Sequence, residues 1–381
     1  MAGALTEMDD VHLDEGFTWP QTMEEVTDPS DVLQDTTTFL TDAHLVWQRQ
    51  YLLRLARKIH RMVAKNLTRD EETVFMLYLA YDTNLDGLVS GAETKRLLKD
   101  GQRYFTKVTF THGSQQAPLI NSSGEIAFTS LLQWFAEHGA DAAKGSLSFL
   151  SFLVGFTGSG FLQSDQRLES LDLFMLQQNV IGYRKILRQV REWKAHHRLE
   201  EVRAAEEGLG QMQVGALYND LVIRELIAEE EHLFSLFLEA DSSGNLALQR
   251  SEISALLRKL DSSASQEEVQ IYMEEMNIDS CELTFPTFID WWHQARQVPT
   301  SLVARKGTSL IASVRAKASA RWIGNFFAED APATRIWYVA AGRGPQGMAA
   351  LREAYVKCFN DVREYHAQQA LREAEYECLK I

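Results

Sequence analysis

The stretch Asp82–Glu93, DTNLDGLVSGAE, decides the reading of this chain. With Asp82 as loop position 1, oxygen-bearing side chains fall at positions 1, 3, 5, 9 and 12: Asp82, Asn84, Asp86, Ser90 and Glu93. Gly87 stands at position 6, where the backbone must turn with positive φ, and Leu88 at position 7 need supply only its carbonyl. Leu85 and Val89, at positions 4 and 8, carry no ligand. A hard cation such as Ca²⁺ takes six to eight oxygens at about 2.3–2.6 Å, and this spacing wraps them round one centre.

The flanks agree with the loop. Thr68 and Glu71 form a T-x-x-E capping box. Val74, Leu77, Tyr78 and Tyr81 then recur at helical spacing up to Asp82, and Leu97 and Leu98 continue an exit helix that should stop near Gly101. Helix, twelve-residue ligand loop and helix make the unit of the EF-hand superfamily, which this segment resembles. The resemblance implies that further hands pair with it through short strands at loop position 8.

Asp241–Glu252, DSSGNLALQRSE, also looks like an EF-hand loop. Asp241, Ser243, Asn245, Gln249 and Glu252 take the ligand positions, Ala247 offers its carbonyl and Leu248 holds position 8. Leu246 replaces glycine at position 6, which costs roughly 1–2 kcal/mol if the left-handed geometry is kept. With two carboxylates instead of three, this site should bind Ca²⁺ more weakly, and Mg²⁺ is expected to compete at both. Met276–Thr287 resembles a degenerate partner, with Leu283 at position 8, an upstream capping box at Ser265 and Glu268, and apolar side chains where ligands belong. For the partner of the first hand two frames compete. Ala140–Ser151 is preferred, because Leu131, Leu132, Trp134 and Phe135 make a good entering helix; Leu119–Ser130 has Gly113 and Pro118 upstream. The preferred frame implies an insertion near 104–123, where Tyr104, Thr106, Val108 and Phe110 alternate like a strand.

The expected fold is therefore all-α: two EF-hand pairs joined by a long helix, with helical N- and C-terminal extensions. The boundaries read as an acidic, extended leader over 1–44, a basic amphipathic helix over 45–66, a first lobe over 67–158, a helical connector over 159–213, a second lobe over 214–297 and a helical extension over 298–381. Leu52, Leu55 and Ile59 share one face of the basic helix, which is expected to pack on the first lobe or to occupy an apolar cleft until Ca²⁺ changes it. The connector, unbroken from 164 to 208, would be about 65 Å long, and would separate the lobes unless it folds back near Asn179–Gly182. The adjacent His196 and His197 should point to different helix faces and make no metal pair. In the tail, Ile336–Val339 reads as a strand before GRGPQG at 342–347, a literal GxGxxG, but no second strand follows to complete a dinucleotide site. Leu351, Tyr355, Cys358, Val362 and Tyr365 then give two heptads of an amphipathic docking helix or short coiled-coil seam.

Bulk numbers narrow the function. The 381 residues suffice for two or three domains, at 45% hydrophobic and 24% charged. Net charge is −15, yet residues 1–48 hold eleven acids and no Lys or Arg, so the remainder is near −4. That balance argues against nucleic acid. Cys281, Cys358 and Cys378 make no metal spacing and favour a reducing compartment. No apolar run spans a membrane, and the start resembles no signal or transit peptide. No catalytic constellation emerges, so no enzyme is expected. The expectation is a cytoplasmic Ca²⁺-binding structural or regulatory subunit of a larger assembly, cytoskeletal or flagellar by analogy, with helical or cytoskeletal protein surfaces as partners and the oligomeric state open. The alternatives are a free Ca²⁺ sensor that exposes an apolar groove, and the Ca²⁺-responsive subunit of a separate enzyme.

Overall fold

The computed structural model describes residues 42–100, 120–145, 168–276, 282–306, 310–312, 314 and 332–380. Of these, 78% are helical and 3% lie in strands, so the all-α expectation holds. The elements are α1 (Asp42–Lys65), α2 (Arg69–Tyr81), α3 (Gly91–Asp100), α4 (Phe128–Gly145), α5 (Leu173–Glu206), α6 (Gln211–Ile223), α7 (Ala228–Ala240), β1 (Ala247–Gln249), α8 (Arg250–Leu260), α9 (Gln266–Glu275), β2 (Glu282–Thr284), α10 (Phe285–Ala295), α11 (Pro332–Gly342) and α12 (Gly344–Leu379). The leader up to residue 41 and the strand read at 104–110 lie outside the described residues, and residues 42–44 already belong to α1.

Helix starts follow the side chains expected to fix them. Thr68 caps α2 and Ser265 caps α9, each with its Glu returning the bond in a capping box. The α2 stripe Val74, Leu77, Tyr78 and Tyr81 is buried throughout. It packs with Leu55 and Ile59 of α1, Phe128 and Leu131 of α4, and Val180, Ile186 and Val190 of α5 into a first apolar core. Phe75 sits at its centre, with ring centroids 5.2 Å from Phe128 and 5.3 Å from His60. A second core joins α6 to α10 with α11 and α12 and buries Phe234, Phe237, Phe285, Trp292, Trp337 and Tyr355.

Three expectations change. Among the described residues the connector is helical at 168–170, breaks at Leu171 and Asp172, and then, with Gly182 no interruption, continues as α5 from Leu173 unbroken to Glu206, about 50 Å. It is no free rod, because its apolar face is part of the first core. The tail helix is not left for a partner either. Met348, Leu351, Tyr355, Phe359 and Val362 enter the second core, while Ala374 and Cys378 of the same helix enter the first. Ile336–Val339 is helical within α11, and α12 begins inside the glycine motif, so the strand read there is absent. Burial of Ala333, Ile336, Trp337 and Ala340, at helical three-and-four spacing, outweighs the weak strand propensity of four residues. The α1 helix packs into the first core, and three of its cations reach other segments: Arg57 pairs with Glu169 at 2.7 Å, Lys58 with Glu377, and Arg49 donates to the carbonyls of Glu169 and Leu171, while Arg54, Arg61 and Lys65 stay exposed.

A buried ionic knot ties α7, α10 and α12 in the second core. The Glu230 carboxylate, 3% exposed, lies 3.0 Å from His293 Nε2 and 3.0 Å from His366 Nε2. Burial pushes the Glu230 carboxyl up, but bonds to His293 and His366 outweigh it and hold the group near 2. Burial likewise opposes the His366 imidazolium, and Glu230 and Glu225 together raise it above its ordinary 6.5. The raised imidazole contributes stability below 6.5 that is lost as pH rises through its folded value. The depressed carboxyl contributes above 4.5 and is lost as pH falls towards 2. The knot should therefore be strongest between those limits. Melting curves across pH 6–9, a range set by the histidine, should show a downward slope that is shallower in His366→Gln than in the wild type. Glu230→Gln should lower unfolding free energy by about 3 kcal/mol at pH 6.

Candidate functional site

Helix α2 delivers Asp82 as its C-cap, the Asp82 N–H donating to the Tyr78 carbonyl at 3.0 Å. The loop then turns left-handed at Leu85 (φ 62°), Gly87 (φ 75°) and Gly91 (φ 51°). Gly87 thus adopts the geometry its position demands. Leu85 pays for a conformation that L side chains avoid with nearly complete burial, at 5% exposed. Position 4 is therefore a core position rather than a free one.

Val89 and Ile126 exchange backbone bonds at 3.1 and 2.8 Å, forming an antiparallel bridge. Ile126 is position 8 of the frame 119–130, and Gly124 at its position 6 has φ 80°. The preferred frame, 140–151, is overturned: its first six residues lie inside α4 and the rest outside the described residues. Leu131, Leu132 and Trp134 follow the bridge as an exit helix instead of preceding a loop. In the second lobe the expected frames meet, with Leu248 opposite Leu283, flanked by Ala247–Thr284 and Gln249–Glu282.

Within the first loop, Glu93 reaches back across the turn. Its carboxylate accepts from the Thr83 N–H at 2.6 Å, the Asn84 N–H at 3.2 Å and the Ser90 N–H at 3.2 Å. Asn84 Nδ2 donates to Asp86 at 2.9 Å, and the Leu88 N–H donates to Asp86 at 2.8 Å. Asp82, 1% exposed, accepts from the Gly87 N–H at 3.0 Å. Burial pushes the Asp82 carboxyl up to about 7, reinforced by the charges of Asp86 and Glu93 and opposed by the N–H groups of Gly87 and Leu85. The Tyr78 hydroxyl lies 3.0 Å from the carbonyls of Gly87 and Ile126 and links the two facing loops.

The second loop has the same fold and a different charge state. Leu246 keeps the left-handed geometry without glycine (φ 58°), and Gly244 turns with φ 66°. Leu246 is 5% exposed, so core burial offsets its backbone strain. Asp241 accepts from the N–H groups of Gly244 at 2.7 Å and Leu246 at 2.8 Å and from Ser243 Oγ at 2.9 Å. Asn245 Oδ1 accepts from Ser243 Oγ at 2.8 Å and from the Ala247 N–H at 3.0 Å. Glu252 accepts from the N–H groups of Ser242, Ser243 and Gln249 at 2.9, 2.9 and 3.0 Å and from Ser242 Oγ at 2.6 Å. Burial raises the Glu252 carboxyl, but these donors outweigh it and leave it below its usual range. The loop satisfies its own carboxylates.

Each loop also meets a helix other than the two that flank it. Gly87 and Gly182 approach backbone to backbone: a Cβ on Gly182 would stand 2.4 Å from the Leu85 carbonyl and 2.8 Å from the Gly87 nitrogen. Gly244 faces Ile336 and Val339 of α11. The sequence leaves a fold-back at Asn179–Gly182 open; the helix is continuous there, and the glycine serves this close approach. One further grouping departs from expectation. His196, His197 and Glu200 each place a ligand atom within 4.8 Å of the others. Yet His197 Nδ1 is bonded to the Trp193 carbonyl at 3.0 Å, and His196 and Glu200 are exposed.

No family model matches the chain, and no curated protein or solved structure is similar to it.

The close approach at Gly182 gives a direct test. Gly182→Ala must displace loop backbone, so its unfolding free energy should fall by about 1–3 kcal/mol. Gly342→Ala, with open space at its Cβ, should be close to neutral in the same denaturant titration.

Proposed function

We propose that the chain is a non-enzymatic EF-hand-type Ca²⁺-binding protein that serves as a structural or regulatory subunit of a larger assembly. The observation that carries the reading is the electrostatics of loop 82–93. Three carboxylates, Asp82, Asp86 and Glu93, share one turn, and burial, reinforced by the charges of the other two, pushes the Asp82 carboxyl up to about 7. A divalent cation would relieve that repulsion, and Asn84, Ser90 and the Leu88 carbonyl are the neighbouring oxygens to complete its shell. The position-8 bridges Val89–Ile126 and Leu248–Leu283 support the paired-hand reading. Loop 241–252, with carboxylates already satisfied, fits a structural role or weak binding.

The covered apolar faces favour a constitutive subunit over a free sensor. Helices α1 and α5 occupy the first lobe's apolar side, and α6, α11 and α12 occupy that of the second. Opening either lobe to a target helix would require displacing them. No helix among the described residues is long and apolar enough to cross a membrane. By analogy with helical scaffold components, the setting proposed is a cytoskeletal or axonemal assembly.

Calorimetric titration of the full chain with Ca²⁺ in millimolar Mg²⁺ should find one principal site in the range of roughly 10⁻⁷–10⁻⁵ M. Glu93→Gln should abolish it, because position 12 supplies two oxygens at once. Glu252→Gln should remove only a weaker phase. A Glu93→Gln protein that titrates like wild type would refute the site.

A further inference from the structure

Helices α5 and α12 run antiparallel, joined by side chains that reach across a gap. Opposite charges meet at both ends of the pair. Arg184 of α5 pairs with Glu375 of α12, and Glu206 of α5 pairs with Arg352 of α12. The middle breaks this complementarity, because there the Arg363 side chain of α12 donates to the main-chain carbonyl of Arg191 on α5. A basic residue thus meets a basic residue where the rest of the seam alternates in sign.

The two arginines are not equivalent. Arg363 is fixed: it donates to the Arg191 carbonyl at 2.5 Å, lies 3.7 Å from Glu225, and sits over the Phe359 ring at 5.2 Å. The Arg191 guanidinium makes no hydrogen bond or ion pair among the described residues. Burial and then the Arg363 charge make its protonated form less favourable than usual, with only a through-space attraction to Glu364 in return. Arg363 is affected in the same direction, by burial first.

Both groups line a groove of about 890 Å³ between the helices. Lys185 and Arg188 stand on its α5 wall. Its carboxylates are Glu192, Glu364 and Asp361. Glu192 is engaged by Arg188 at 3.0 Å and Glu364 by Gln368 at 3.1 Å, which leaves the Arg191 fork unanswered. The N–H donors of the Arg191 guanidinium suit a phosphate or carboxylate, and the groove has the size of a small-ligand site.

We propose that this groove binds a small, multiply charged phosphate anion, held by the Arg191 fork with Lys185 beside it. The site shares no residue with either cation loop and stands independently of the calcium reading.

The test is calorimetry of the full chain in EGTA, with inorganic triphosphate as the probe. Saturable one-to-one binding is expected. Arg191→Gln should weaken it at least about tenfold, and Arg191→Lys severalfold, because the charge is kept and the fork lost. Arg224→Gln, at an exposed cation paired with Asp220 outside the groove, should leave it unchanged. Without anion, Arg191→Gln should melt no lower than wild type, since it relieves a like-charge contact. A lower melt would make Arg191 a structural strut and overturn the proposal. So would absent saturation, or equal weakening by Arg224→Gln. Flotation with phosphatidylcholine vesicles carrying phosphatidylinositol bisphosphate separates the sources. Arg191-dependent capture assigns a lipid headgroup, and triphosphate binding without capture assigns a soluble phosphate.

Discussion

The backbone contact between Gly182 and Gly87 constrains the first half of the molecule. A loop that turns left-handed at positions 4 and 6 presents a ridge of backbone, and only a helix face without a Cβ can approach it this closely. Once α5 is seated there, its neighbouring residues are committed. Tyr183 reaches His60 of α1, with ring centroids 5.4 Å apart, Trp193 donates to Gln133 of α4 at 3.1 Å, and Lys194 binds Glu71 at the capping box of α2 at 2.7 Å. One helix thereby fastens the start of the entering helix, the turn of the loop and the exit helix of the facing loop. Any change in the loop's backbone must be accommodated by α5 or resisted by it.

Loops 82–93 and 241–252 illustrate how one backbone pattern supports different electrostatics. Both loops bend at the same positions and fold the position-12 glutamate back onto the N–H groups of positions 2 and 3. The position-2 hydroxyl, Thr83 or Ser242, donates to that glutamate in both; in the second loop Ser243 adds a further hydroxyl donor, to Asp241, and no carboxylate stands at position 5. In the first, Asp86 adds a charge next to a buried Asp82. Hydrogen bonds close the second loop, whereas the first retains a concentration of negative charge that its own donors do not offset. The strain at Leu85 and Leu246 is tolerated in both because each side chain is buried in a core.

Helix α12 makes the halves interdependent. It lies in the second core for most of its length and ends in the first, antiparallel to α5. Charges that would otherwise be solvated are used along these seams: Arg335 donates to the last carbonyls of α7, including that of Glu239 at 2.9 Å, and Lys306 bridges Asp261 and Glu268. Among the described residues α5 and α12 leave little apolar face free, and the Arg191 guanidinium is the place where this charge pattern is left incomplete.

Much of the site was legible in the sequence because its determinants are local. A capping box, a 3.6-residue stripe, carboxylates at fixed offsets and a glycine at the turn each act within a dozen residues, and α2, α3, β1 and β2 stand where these signals put them. The second-lobe pairing was legible for the same reason: position 8 is defined by counting within each loop. The partner of the first loop was not, because Leu131, Leu132 and Trp134 suit a helix equally well before or after a loop. Only the bridge from Val89 to Ile126 separates the two frames. Periodicity showed that α5 and α12 have apolar faces, but not what would cover them. Their burial in shared cores, the seating of Gly182 on a loop ninety-five residues earlier, and the meeting of Arg191 with Arg363 depend on contacts between distant segments. Local chemistry determined the loops; long-range packing decided what they rest against.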